Sequence, residues 1–139
     1  MTHTIRNATA DDAGPLAELA DVTVLVIDAD GGLRGYSLLV DRPAQDPEVA
    51  SALTFLPSAE LSKCYVHPEH HGLGAAAELM QASLAAAAAS GATGVWLGVN
   101  TQNARAIRFY EKSGFRKVGT KSFRLGATVV HDFVLERAV

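Results

Sequence analysis

The stretch ELSKCYVHPEHHGLGAAAELMQASLAAAAAS, Glu60 to Ser90, decides the fold. Its first part, ELSKCYV (Glu60 to Val66), reads as a strand, and HPEHHGLG then breaks the chain. Nine of the positions from 75 to 89 are alanine, and Glu78 is the only charged residue among them. Alanine has the highest helix propensity and lets a backbone approach a sheet closely, so a helix is predicted from about Gly74 to Ser90. Gly91 fits its end. A glycine-rich turn between a strand and a helix is a ready anion site. The first backbone N–H groups of the helix have no intrahelical acceptor, the helix dipole adds positive potential, and glycines let the backbone come close.

Working outward, Ile5 to Ala8 reads as a short strand. Asp11 or Asp12 can cap a helix through about Ala20, with Leu16, Leu19 and Ala20 on one face. VTVLVI (Val22 to Ile27) and LRGYSLLV (Leu33 to Val40) are joined across Asp30-Gly31-Gly32, a hairpin signal. Residues 41–57 hold three prolines and no clear period, so they read as a loop. Downstream, GVWLGV (Gly94 to Val99) is a buried-type strand, and Asn100 or Thr101 caps a helix to about Ser113, stopped by Gly114. Strands near Phe115 to Leu125 and Thr128 to Leu135 complete a mixed α/β sheet with helices on its faces.

The 139 residues, 48% hydrophobic and 19% charged, predict a single domain over 1–139 and exclude a disordered chain or a disulfide scaffold. Cys64 is the only cysteine, which points to a reducing compartment and a cytoplasmic location. The first twenty residues lack the pattern of a secretory signal, and no run approaches the roughly eighteen apolar residues of a membrane span. Neither a membrane nor a nucleic-acid partner is expected. The net charge of −3 is uneven: residues 1–99 carry four basic and twelve acidic side chains, and residues 100–139 carry eight basic and three acidic ones. A polyphosphate suits the second part and a cation the first, although an unevenly charged surface explains the same numbers.

A Walker loop would need Gly-Lys-Ser/Thr, which is absent. Gly72-x-Gly74-x-x-Ala77 formally fits a dinucleotide fingerprint, but five residues separate the strand from Gly72, and residues 92–110 lack the acidic residue that would hold a ribose. In Val66-His67-Pro68-Glu69-His70-His71-Gly72-Leu73-Gly74-Ala75-Ala76 the loop resembles instead the pyrophosphate loop of the GNAT superfamily of N-acetyltransferases, Gln/Arg-x-x-Gly-x-Gly/Ala, with His71 in place of the Gln or Arg. A second segment, NTQNARAIRFYEKSGFRKVG (Asn100 to Gly119), resembles the superfamily's Asn-x-x-Ala-x-x-Phe-Tyr-x-x-x-Gly-Phe signature at Asn103, Ala106, Phe109, Tyr110, Gly114 and Phe115. Within the superfamily, the part from Trp96 onward is most similar to the polyamine (spermine/spermidine) N-acetyltransferase subgroup.

The resemblance implies a largely antiparallel mixed sheet of about seven strands, splayed between strands 60–66 and 94–99, and direct attack of an amine on acetyl-CoA. It implies that backbone groups of Cys64, Tyr65 and Val66 meet the pantetheine arm. The N–H groups of Gly72, Leu73, Gly74, Ala75 and Ala76 would hold the pyrophosphate, beside His71. Asn103 would bond the pantetheine, and Tyr110 would protonate the departing thiolate. Arg105, Arg108 and Lys112 would meet the 3′-phosphate, although an exposed helix face explains these three equally well. Glu60 is the candidate base, equally readable as an exposed strand carboxylate. Alternation places Glu60, Ser62 and Cys64 on one strand face. Cys64 has no evident His-plus-acid partners and is not expected to act as a nucleophile. His67, His70 and His71 lack a matching carboxylate or cysteine set, so no metal is expected.

The expected acceptor is a small-molecule amine such as a polyamine. The alternatives are the N-terminus of a protein or peptide, or an acyl-CoA-binding module without turnover. Superfamily members usually place two helices between the first two strands, whereas Ala20 is followed almost at once by Val22. The second helix is therefore expected to be missing, leaving the acceptor side open or covered by a second subunit in a homodimer.

Overall fold

A computed structural model describes residues 3–72 and 74–139. The strands are β1 (His3–Asn7), β2 (Val22–Ala29), β3 (Gly32–Val40), β4 (Ser58–Val66), β5 (Gly94–Asn100), β6 (Arg116–Leu125) and β7 (Thr128–Ala138). The helices are α1 (Ala10–Ala13), α2 (Pro47–Ala52), α3 (Ala75–Ala89) and α4 (Ala104–Lys112). All seven strands form one sheet in the order β1-β2-β3-β4-β5-β7-β6. Every neighbouring pair is antiparallel except β4 and β5, which run parallel. This is the mixed α/β sheet with flanking helices that the sequence implies.

The alanine-rich helix α3 lies on one face. Its Leu79, Met80 and Leu84 pack against Leu25 and Ile27 of β2, Leu61 and Val66 of β4, and Val95 and Leu97 of β5. Ser83 Oγ, buried in the same helix, lies 2.7 Å from Ser37 Oγ of β3, so a polar pair is satisfied inside the apolar layer. Helix α4 adds Ile107 and Phe109 to this face. The opposite face is thinly covered. Val49 of α2 packs on Trp96 and Val134, while Leu16, Leu33, Tyr36 and Tyr65 stay exposed.

The segment between β1 and β2 holds α1 and a 3-10 turn (Gly14–Glu18) where one longer helix is predicted. Gly14 at φ 58° and Pro15 interrupt it. Thr9, not Asp11 or Asp12, caps α1, and Asp12 Oδ2 accepts from the Thr9 N–H at 2.8 Å. Arg6 bonds the same carboxylate at 2.7 Å and Asp28 at 3.0 Å, which anchors α1 to the sheet. No second α-helix follows before Val22. The predicted loop 41–57 contains α2, capped by Asp46 with Pro47 at its first position.

One correction bears on the site. Leu38 pairs with Lys63 and Leu39 with Leu61, so Ser62 is bulged. The bulge resets the alternation. Cys64 therefore shares the face of Leu61 and Val66, under α3, while Glu60 and Ser62 look to the other side.

Candidate active site

The parallel ladder between β4 and β5 is short. It pairs Ser58, Ala59 and Glu60 with Gly94, Val95 and Trp96 and goes no further. Beyond that rung β4 continues on β3 to Val66, and β5 continues on β7 to Asn100. The sheet thus opens into a V, as the resemblance implies. A cleft of about 440 Å³ fills its mouth under α3 and α4. Of the predicted residues, Cys64, Tyr65, Val66, His71, Gly72, Ala76, Asn103, Arg105 and Tyr110 line it. Gly74 and Ala75 stand just behind, at the start of α3, and Leu73 lies outside the described residues. The Tyr65 side chain turns away to the opposite face, 6.2 Å from Tyr36, leaving its backbone at the cleft.

The loop geometry suits an anion. Gly72 and Gly74 take φ values of 85° and 76°, a region that costs an L side chain roughly 1–2 kcal/mol. A Cβ at Gly72 would meet nothing within 4 Å, and Gly72 itself lines the cleft. Gly74 is the N-cap of α3, and the first N–H bonded back into the helix is that of Glu78, to the Gly74 carbonyl at 3.0 Å. The N–H groups from Gly74 to Ala77 have no intrahelical acceptor.

His71 has a structural task that its sequence position does not reveal. Its Nε2 lies 2.9 Å from the Val66 carbonyl and its Nδ1 3.2 Å from Arg105 Nη2. The consistent tautomer donates from Nε2 and accepts at Nδ1. This strut ties the end of β4 to α4 across the cleft mouth and fixes Arg105. It also occupies the Val66 carbonyl. Asn103 likewise differs from its sequence reading: it, rather than Asn100 or Thr101, caps α4, and its Oδ1 accepts from the Ala106 N–H at 3.2 Å. Its amide NH₂ remains for a ligand.

Tyr110 packs edge-on against Phe109 and Phe115, with centroids 5.5 and 6.0 Å away. Burial, with the nearby Cys64 adding to it, pushes its phenol up to about 12, so the hydroxyl carries its proton at neutral pH. Burial also pushes the Cys64 thiol up to about 11.

Glu60 lies across the sheet from Cys64, on the last rung of the ladder. It borders a second hollow of about 380 Å³ with Ser62, Trp96 and Lys121. Lys121 is a residue the sequence reading missed. Another is Glu136, fully buried on β7, whose Oε2 accepts from the Thr54 and Phe55 N–H groups at 2.7 and 3.0 Å. It holds the segment leading into β4. Near the glycine loop, His70 is buried with neither ring nitrogen bonded, edge-on to His3 at 5.4 Å. Burial lowers its pKa, and His3, Arg34 and His67 lower it further. Among the described residues no three His, Cys, Asp or Glu side chains are grouped to hold a metal ion, and no helix is long and apolar enough to cross a membrane.

The sequence profile of the acetyltransferase (GNAT) family matches residues 5–115, and the chain belongs to that family. An uncharacterized N-acetyltransferase of Mycobacterium tuberculosis is 46% identical over 114 residues, covering 82% of this chain. The chain spans 65% of the length of that relative. Among solved structures, Arabidopsis thaliana NAA60 in complex with acetyl-CoA aligns with a TM-score of 0.83 at 14% identity, over 99% of both chains. The ribosomal-protein-S18-alanine N-acetyltransferase of Escherichia coli aligns at 0.73 and 15% identity, over 99% of this chain and 94% of the other. These two likenesses establish the shared fold.

Proposed function

We propose that this chain moves an acetyl group from acetyl-CoA to a primary amine by direct attack. The observation that carries the reading is the V between β4 and β5, which brings an open glycine loop, the backbone of Cys64 to Val66 and the Tyr110 hydroxyl into one cleft. The free N–H groups at the start of α3 fit a diphosphate. The edge of β4, apart from the Val66 carbonyl that His71 already engages, fits the amides of a pantetheine arm, as an added strand would. Arg105, held by His71, stands at the mouth for a further phosphate.

The chemistry divides between the two faces. An amine is an ammonium at neutral pH and must give up a proton before its lone pair can attack the thioester carbon. Glu60, at the apex of the V, takes that proton. As the carbon–sulfur bond breaks, Tyr110 donates its proton to the departing sulfur. The proton released as the new nitrogen–carbon bond forms then restores the tyrosine, Glu60 gives up its proton to solvent, and the products are an amide, free coenzyme A thiol and one proton.

For the acceptor, the comparisons favour no polyamine-specific subgroup. An exposed amino terminus is the better supported class: NAA60 and the S18-alanine enzyme share the fold, and the face bearing Glu60 is only thinly covered. The exposed Leu16, Tyr36 and Tyr65 on that face also support the expected homodimer, which light scattering tests.

Calorimetry with acetyl-CoA, paired with thiol release over polyamines, amino acids and short peptides, tests the function. Heat with acetyl-CoA and thiol release that Glu60→Gln slows support it. Heat without release from any amine identifies a binding module, and heat only with a nicotinamide dinucleotide removes the reading altogether.

A further inference from the structure

The hollow on the Glu60 face contains charges in different circumstances. Arg42 is occupied, its Nε 3.2 Å from the Asp21 carboxylate. Asp46 is engaged as the cap of α2, accepting from the Glu48 N–H at 2.9 Å. Glu60 and Lys121 remain, and among the described residues neither forms an ion pair.

Lys121 reaches this hollow from a distance. It arises on β6, which is separated from β5 by β7. Its side chain crosses β7 and lies over Gly98, where a Cβ would come within 3.0 Å of its Cε. The ammonium ends 5.8 Å from the centre of the Trp96 ring and 6.0 Å from that of Phe123. Asp132, the ladder partner of Lys121, also approaches Gly98, 3.3 Å from the same position, without closing an ion pair. Gly98 is thus the bare patch that admits an ammonium to the indole beside Glu60.

A hollow with a free carboxylate and a free ammonium complements a molecule carrying the reverse pair. We propose that Lys121 selects acceptors bearing a carboxylate beside the amine to be acetylated, Glu60 receiving the amine and Lys121 the carboxylate. The inference rests on the transferase reading above and deepens it. It disfavours polyamines, whose second ammonium would meet Lys121. The carboxylate has two sources: that of a free amino acid, or an acidic side chain at the start of a peptide.

The test is thiol release with matched acceptors: alanine against alaninamide, and a peptide amide beginning with Asp against the same peptide beginning with Asn. Each pair is run with the wild type and with Lys121→Met. Because the intrinsic basicity of each amine is the same for both proteins, the change in the charged-to-neutral ratio of kcat/KM isolates the side chain. The ratio in at least one pair should fall about tenfold in Lys121→Met, as expected for loss of a charged hydrogen bond. The pair that responds identifies the source. Unchanged acetyl-CoA affinity in Lys121→Met shows that the variant is folded. A ratio the substitution leaves unchanged in both pairs overturns the selection and leaves the transferase reading standing. No release from any acceptor overturns both.

Discussion

The ring of Tyr110 meets the ring of Phe115 edge to face at 6.0 Å, and Phe115 is buried. The tyrosine is therefore oriented by the core, while its hydroxyl has no protein hydrogen-bond partner among the described residues. Tyr110→Phe keeps the ring and removes the donor. Thiol release should fall by about 10² or more with acetyl-CoA affinity unchanged, as expected for loss of a general acid. The wild type should show no loss of activity from this group until the pH nears the phenol's value of about 12. Turnover equal to wild type in the variant removes the acid role.

Cys64 borders the same cleft, and its thiol is pushed up to about 11. The thiolate is the nucleophilic form, so almost none is present at neutral pH. Cys64→Ala should retain turnover within about threefold and show no acyl-enzyme burst, since direct attack needs no covalent relay. A hundredfold loss accompanied by a burst in the wild type would establish a relay.

His70 makes stability depend on pH. Its folded-state pKa lies below the unfolded value of about 6.5, because burial disfavours the cation. Below pH 6.5 the unfolded chain binds a proton that the folded chain refuses, so stability is present above that pH and is lost as the pH falls toward the folded value. Thermal melts should show the midpoint falling between pH 6.5 and 5 in the wild type, and less steeply in His70→Phe. Equal slopes would show that other groups govern the acid limb. The facing groups are His3, whose Nε2 holds Glu78 at 3.0 Å, together with Arg34 and His67.

Gly35 on β3 faces the end of β4. A Cβ there would come 2.5 Å from the Tyr65 carbonyl, 2.9 Å from Ile27 Cδ1 and 3.1 Å from Val66 Cα. Two of these neighbours are backbone and cannot swing aside. Gly35→Ala should destabilise the protein by about 1–3 kcal/mol through overpacking. It should also weaken acetyl-CoA binding, because the displaced strand end is the wall of the cleft. Urea melts and calorimetry read the two effects separately.

Strands and long helices were legible because their patterns are local. The alanine run fixed α3 to within a residue at each end, and the two glycine and aromatic motifs located the cleft. What was hidden depends on distant partners. The bulge at Ser62 arises from pairing with β3, and nothing in ELSKCYV announces it, so simple alternation puts Cys64 on the wrong face. Glu136 looks like any strand carboxylate until Thr54 and Phe55 are brought to it. Lys121 gains its meaning only through Gly98, two strands away. In the sequence His71 is a departure from a motif, yet its strut to Arg105 exists only once β4 and α4 are side by side.

The parting of β4 from β5 also bears on how this chain avoids its neighbours. A sheet that opens in its middle exposes two rows of unpaired backbone groups, the kind of template on which polypeptides zip together and precipitate. Inserting a full strand between those rows would require walls about twice 4.8 Å apart, one spacing for each new ladder. At the Glu60–Trp96 rung they are a single spacing apart. The taper thus turns away a foreign strand before it can run the length of the opening.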